Sequence, residues 1–442
     1  MVRRKKCMVL GIAALVVFLL SGCGKSSSGG TAGGRASTDP AFYEVTEPIT
    51  IEWWHALEDQ YSATVESIVA GFNNSQSLIT VVPRFIGNYT VLNETLVAAH
   101  AAGTGLPAIT AANTPYVAEY GAGGLTENLS PYIQATNFDI EDFGEGMIAA
   151  TNFDGKQVAM PFLISTQVVY YNADMARQLN VQVPERLSDM ESFLKAASKI
   201  GPDRKTQQWA FIVPGWDQWY FETFYLNNGV KIINDDQIST DLNSPAAVAI
   251  AEQFKKWCDA GYMYWASGTS ASSIMRQNFW EGKAFSVAHT SSLYNTYVDN
   301  CPFEVGMAWL PAGDTKISEI GGSVILIPAK NDQKTKNAAW QFMQYMINKD
   351  TNMKWARETG YMPTRKSVLY TEEGQKFLQE KPAFKVIFDN LDEINPRIQH
   401  GAWGQLAKIW IAYMQETILE NKNVPSQMDK MAQEINEVLE DY

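Results

Sequence analysis

Cysteine and histidine are scarce, with four of each in 442 residues. His55, His100, His289 and His400 are scattered and none stands near a cysteine pair, so no zinc-site spacing is present. So few cysteines cannot form a disulfide framework, and the core must come from apolar burial. Positive charge is also short. The 35 Lys and Arg against 48 Asp and Glu give a net charge of -13, which argues against nucleic acid and against a basic patch for anionic lipid. Catalytic signatures are missing as well: there is no Gly-x-Ser-x-Gly elbow, no His-Glu-x-x-His and no P-loop. No internal repeat of solenoid or propeller period is visible.

What is present begins at the N-terminus. Arg3, Arg4, Lys5 and Lys6 precede an apolar run from Met8 to Leu20, which ends in Leu20-Ser21-Gly22-Cys23. The run is too short and wrongly flanked for a membrane span and has the layout of a secretory signal. Its ending resembles a bacterial lipobox, which implies that residues 1–22 are removed and that Cys23 is acylated. Each buried acyl methylene anchors by roughly 0.8 kcal/mol. The expectation is an extracytoplasmic protein tied to the membrane through its N-terminal lipid, in the periplasm or on the outer face. Losing the four basic residues of the signal takes the charge from -13 to about -17. Residues 23–46, rich in Ser, Gly, Thr and Ala, read as a flexible tether. Of the cysteines, Cys258 and Cys301 then remain, compatible with a disulfide or with two buried thiols.

About 420 residues are too many for one core and suit two domains or lobes. The apolar share is 46% and the aromatic share 12%, enough for a large core. Ile49–Trp53 alternates as a strand, and Tyr61, Val65, Ile68, Val69 and Phe72 recur at helical spacing. A strand at Ile79–Arg84, a helix at Leu92–Ala102 and a strand at Pro107–Thr110 complete a strand–helix alternation that predicts parallel pairing with crossover helices. Ligands of such sheets bind beyond the carboxyl ends of the strands. Gln157–Tyr171 reads as a strand passing from a first lobe to a second. The second lobe continues with a helix at Asp189–Ile200, strands at Trp209–Val213 and Ala284–Ala288, and a helix at Ala246–Ala260. Ile320-Gly321-Gly322-Ser323 opens the run that crosses back, and the tail from Gln405 is helical with a break near Asn421–Pro425.

Aromatic residues crowd the expected loops: Trp53-Trp54, Trp216 with Trp219 and Tyr220, and Tyr361. Flat C–H faces of sugars and polyols stack on such rings while neighbouring Asn, Asp and Ser bind their hydroxyls. Trp257, Trp340, Trp355 and Trp410 lie in helical patterns and read as core.

The chain from Ile51 onward resembles the solute-binding proteins of bacterial ABC importers, family 1, which carry sugars and related solutes. The residues that carry the resemblance are Pro161-Phe162 leading to Tyr170-Tyr171-Asn172, Glu281-Gly282-Lys283-Ala284, Gly321-Gly322, and Glu358-Thr359-Gly360-Tyr361-Met362-Pro363 after Trp355. Trp54-His55-Ala56-Leu57-Glu58 and Gly87-Asn88-Tyr89 are similar to the glycerol-3-phosphate-binding subgroup.

The resemblance implies an α/β fold of two hinged lobes with the ligand enclosed between them. Lobe 1 would be 47–163 with 322–370, and lobe 2 would be 164–321 with 371–442. The carried-over ligand-binding positions are Tyr89, Thr114, Ser165, Gly322 and Tyr361, with a hydroxyl-bearing position within His289, Thr290 and Ser291. A cleft tryptophan falls at Trp216 or Trp219, and a late cation at Arg397 or His400. Thr114 stands where the subgroup has a carboxylate, so the polyol end of the pocket differs. The implied function is capture of a sugar or a glycerol-phosphate-type solute for an ABC permease, by a monomeric binding protein with no catalysis, cofactor or metal. The rival readings are a lipoprotein hydrolase of glycosides or phosphodiesters and a sensory or adhesion lipoprotein. If Cys23 carries the anchor, Cys23→Ser should move the protein from the membrane to the detergent-poor phase in a detergent partition. Retention in the membrane fraction would refute acylation there.

Overall fold

The computed structural model describes residues 37, 39–57, 61–268 and 270–442. The signal at 1–22, Cys23, most of the tether and Glu58 lie outside the described residues. Ordered chain begins earlier than composition suggests. Asp39 caps a short 3-10 helix, Pro40–Tyr43, and Tyr43 and Val45 are buried in the first core, so the tether does not extend to residue 46.

Among the described residues thirteen strands follow: β1 (Ile49–His55), β2 (Ile79–Phe85), β3 (Ile109–Asn113), β4 (Asn152–Phe153), β5 (Lys156–Gln157), β6 (Met160–Asn172), β7 (Lys199–Ile200), β8 (Thr206–Pro214), β9 (Met263–Ala266), β10 (Ala284–Thr290), β11 (Val305–Ala308), β12 (Ser318–Leu326) and β13 (Ile394–Asn395). β4 and β5 form a hairpin. The other eleven make one continuous sheet in the order β2-β1-β3-β12-β6-β10-β8-β7, with β13 beside β12, β11 beside β6 and β9 beside β8.

The parallel pairing expected from strand–helix alternation holds within each half of the sheet: β2, β1 and β3 are parallel, as are β10, β8 and β9. Between the halves lie two antiparallel strands. Residues 160–166 of β6 pair with β12, and residues 167–171 pair with β10. The chain thus leaves one half along β6 and returns along β12. Each half has its own apolar core. Ile51, Phe72, Trp340 and Phe342 pack in the first. Phe211, Phe254, Trp410 and Met431 pack in the second, flanked by a cluster around Tyr170, Phe279, Tyr297 and Phe377. The molecule is therefore a two-lobed α/β fold.

Local chemistry fixes the elements that frame the space between the lobes. Val65, Ile68, Val69 and Phe72 form the buried stripe of the helix Ser62–Ser75. The helix Tyr89–Ala102 starts where the Asn88 side chain accepts from Val91 N at 3.1 Å, a cap worth about 0.5–2 kcal/mol. It ends at left-handed Gly103. β3 begins at Ile109, two residues later than the sequence suggests, because Pro107 has no N–H to give the ladder. It then runs on to Asn113 by pairing with β12. The expected helix at Asp189–Ile200 stops at Ala197, whose carbonyl is taken by the Gln208 side chain at 2.7 Å. Lys199 and Ile200 join the sheet edge beside β8 instead. The break near Asn421–Pro425 is a new start: Asn423 caps the helix Val424–Glu440.

At the crossing, Gly321 faces Ser165 and Gly322 faces Ile164 across the ladder, and the register shifts between Ser323 and Val324. Gly322 has φ +92, and a Cβ there would lie 2.1 Å from the Leu163 carbonyl oxygen. Gly322→Ala should therefore lower stability by about 1–3 kcal/mol, read as an earlier urea midpoint. An unchanged midpoint would show that the crossing tolerates a side chain.

Candidate functional site

The segments after β3 and β8 meet the chain around residues 397–405. A cavity of about 380 Å³ lies there, with Asn113, Tyr116 and Glu119 on one side and Gln218, Arg397, His400 and Trp403 on the other. Another concavity is bounded by Lys349–Glu358 and Val368–Glu373. The cavity at Asn113 and Arg397 draws instead on both halves of the sheet.

Its surroundings hold buried polar atoms without partners. Thr114 Oγ1, Trp219 Nε1 and Arg397 Nε are buried and unpaired. A buried polar group is normally satisfied, and a cluster that is not points to a ligand or ordered water. Burial pushes the Tyr89 hydroxyl up to about 12, with Ser323 facing it, so it stays a neutral donor. Ser323 pairs with Asn113 across β12 and β3, which ties Tyr89 to the Thr114 turn.

The crossing glycines let the aromatic side of the site approach. A Cβ on Gly321 would sit 2.6 Å from the Trp219 ring and 2.9 Å from Ser165 Oγ. Trp219, Ser165 and β12 therefore pack together only because residue 321 has no side chain. The Gln167 side-chain amide donates to the Trp219 carbonyl, and the Arg397 guanidinium lies 5.7 Å from the Trp219 ring centre, a cation–π distance.

Trp216 is half-buried and leads a further aromatic group. Its ring centre is 6.0 Å from Tyr220 and 6.4 Å from His289, and Tyr220 and His289 are 5.3 Å apart. His289 Nδ1 shares a 3.1 Å hydrogen bond with the Tyr297 hydroxyl. Burial, with Arg276 adding positive charge, pushes the imidazole down to about 3, so it is neutral near pH 7. Thr290 Oγ1 and Ser292 Oγ are 3.0 Å apart. Ser291 Oγ accepts from Thr166 N at 3.0 Å, which fastens this turn to β6. Gly360 lies against Ser292, and Met362 bridges to Ile164. Tyr361 is thereby held between that turn and the crossing.

Of the two late cations, Arg397 is the one joined to buried groups. It stands 3.6 Å from the Glu222 carboxylate. With the Gln218 amide turned to satisfy both its ends, Gln218 accepts from Arg397 Nη2 at 2.8 Å and donates to Asp217 at 3.1 Å. His400 Nδ1 instead accepts from Ala402 N at 3.1 Å, close to the start of the helix Trp403–Leu419.

The site residues that sequence reasoning missed are Gln167, Glu222 and Glu319. Glu222 had a signal: it is the lone charge in the aromatic run WYFETFYL. The others needed the sheet order. Trp53, grouped by sequence with the loop aromatics, is fully buried in the first core. Trp257, Trp340, Trp355 and Trp410 are core, as expected. Cys258 and Cys301 are free thiols in separate clusters. Burial raises each to about 12. Among the described residues no cluster of His, Cys, Asp and Glu could hold a metal ion, and no helix is long and apolar enough to cross a membrane.

Of the residues the sequence singled out, Arg397 and His400 line the cavity, and Tyr89, Thr114, Ser165, Trp216, Trp219, His289, Thr290, Gly322 and Tyr361 do not. Two α/β lobes joined by crossing strands, with a polar-lined cavity that draws on both halves of the sheet, define a two-lobed solute-binding protein fold. The chain belongs to the bacterial extracellular solute-binding protein family, which matches residues 67–386. It is 24% identical over 405 residues to the sn-glycerol-3-phosphate-binding periplasmic protein of Pectobacterium atrosepticum, covering 86% of this chain and 83% of that one. To the protein of the same description from Escherichia coli K12 it is 25% identical over 365 residues, covering 75% and 78%. Among solved structures, a Mycobacterium tuberculosis protein in complex with glycerophosphocholine superposes with TM-score 0.75 at 20% identity, covering 90% of this chain and 99% of that one. The sugar-binding protein MalE of Xanthomonas citri gives TM-score 0.77 at 18% identity, covering 89% and 98%.

The neutral His289 sets an acid dependence. Its folded pKa of about 3 lies below the unfolded value of about 6.5. As pH falls below 6.5 the unfolded chain gains a proton that the folded chain refuses, and stability is lost. The loss at pH 5 is about 2 kcal/mol. Urea unfolding of wild type and His289→Gln at pH 7 and pH 5 should show wild type losing more by about that amount. Equal losses would mean that His289 is protonated in the fold.

Proposed function

We propose that this chain is the solute-binding component of an ABC importer and that its ligand is a polar solute of the sugar or glycerol-phosphate class, with a phosphate-bearing polyol fitting best. The observation that carries the reading is Arg397: a mostly buried guanidinium on the wall of a cavity shared by both lobes, with its Nε unpaired. A guanidinium with free donors matches a phosphate, and the nearby Trp219, Trp216, Ser165, Tyr89 and Thr114 suit a polyol. Tyr361, Thr290, His289 and Gly322, which lie outside the cavity lining, would act on the ligand once the lobes close. The names of the curated relatives and the glycerophosphocholine complex support the same class.

Lobes bounded at 47–163 with 322–370 and at 164–321 with 371–442 would close on a ligand that touches both, since only differential contacts shift such an equilibrium. The closed form would pass the solute to the permease. Acylated Cys23 would hold the protein, as a monomer, at the membrane outside the cytoplasm. Nothing in the arrangement calls for turnover.

Calorimetry of the folded body against glycerol 3-phosphate, glycerophosphocholine, maltose and a few monosaccharides tests the reading. A phosphate compound should bind, and Arg397→Gln should weaken it by about 1.5–3 kcal/mol. Binding of a neutral sugar alone, indifferent to Arg397, would assign the site to sugars. An Arg397→Gln variant that binds the phosphate compound normally would remove Arg397 from it.

A further inference from the structure

Two carboxyls are buried side by side next to Arg397. Glu222, from the helix Trp219–Leu226, is 0% exposed and Glu319, from β12, is 1% exposed. They are within hydrogen-bonding contact of each other. As two carboxylates they are short of donors: both oxygens of Glu222 and Oε1 of Glu319 have none. The Thr223 hydroxyl lies 3.3 Å from the remaining oxygen, Glu319 Oε2. Arg397 stands 3.6 Å from Glu222, an ion pair too long for a hydrogen bond. The other groups facing the pair bring no positive charge. Gln167 of β6 takes the Thr223 hydroxyl at 2.6 Å, and Asp217, after β8, adds negative charge. Adjacent carboxyls in a dry site do not both ionise; one proton between them removes the repulsion and supplies the missing donor.

We propose that Glu222 and Glu319 share one proton in the ligand-free protein and take up a second when an anionic solute engages Arg397, so that this pair sets how strongly the site holds anions relative to neutral solutes. The inference rests on the anionic-solute reading above. In the free protein Arg397 balances the single negative charge of the pair. A phosphate oxygen on the guanidinium draws that charge to itself and brings a second anion close. The remaining carboxylate loses its support and takes a proton from solvent. Burial already raises both carboxyls above the usual range, and for Glu319 the neighbouring Glu222 adds to it.

The sign follows from proton linkage. A site that gains a proton on binding binds more tightly as pH falls, by up to about tenfold per pH unit when a whole proton is taken up. A neutral sugar leaves the Arg397 charge in place and shows no such slope. Glu222 and Glu319 are thus positioning residues that act through Arg397.

Infrared spectroscopy of the ligand-free chain and calorimetry with glycerophosphocholine test this together. The diester is chosen because its phosphate does not titrate near neutral pH. A protonated-carboxyl band should be present at pH 7 and lost in both Glu222→Gln and Glu319→Gln. Calorimetry in buffers of different ionisation enthalpy should count protons taken up on binding in the wild type and none in the double variant Glu222→Gln with Glu319→Gln. Binding without proton uptake, or a ligand-free protein that lacks the band, overturns the proposal. A protein that keeps the band but binds neither glycerophosphocholine nor glycerol 3-phosphate overturns it through the solute reading alone, leaving the shared proton intact.

Discussion

The structure depends on one close approach, the backbone of β12 lying against β6 through Gly321 and Gly322. Neither position has room for a side chain. A Cβ on Gly322 would meet the Leu163 carbonyl, and one on Gly321 would meet the Trp219 ring. Because these strands run antiparallel between two parallel half-sheets, they are the route by which the chain passes from one core to the other. The register shift beside Ser323 falls at the same place. The loops that line the cavity are brought together around this crossing, so its geometry decides which side chains meet.

The second constraint is electrostatic. The chain carries a large negative charge, yet the cavity wall presents a guanidinium. The two are compatible because a buried charge is governed by its neighbours, while surface charges are screened within about 8–10 Å at ordinary salt. Arg397 is mostly buried and faces Glu222. Beside it Trp219 Nε1, both Glu222 oxygens and its own Nε are buried without partners. Stability is lost at such atoms, and that loss is offset when a ligand supplies the missing partners. A site of this kind favours a solute rich in hydroxyls and anionic oxygen over an apolar one.

Much of the fold was legible in the sequence because its signals are local. The buried stripe of the first helix, the end of the second at Gly103 and the alternation of β1 all act within a few residues of chain. Motif resemblance then pointed to Ser165, Trp219 and Arg397, which the fold places within one connected group. Where the reading slipped, a distant partner had decided. Lys199 and Ile200 left their helix for the edge of β8, and Tyr43 and Val45 joined a core built by later residues.

The sequence by itself determined the class: alternating strands and helices, enough apolar residues for two cores, and a glycine pair at a crossing. It determined the negative charge and the shortage of cysteine and histidine for the same reason, since these need no partner. Tertiary structure alone decided which of Arg397 and His400 joins the buried charges. It alone set Glu222 beside Glu319, residues far apart in the chain. Contacts of that kind depend on sheet order and on the side-chain-free passage at Gly321 and Gly322, and neither strand order nor close approach is written in any local stretch of residues.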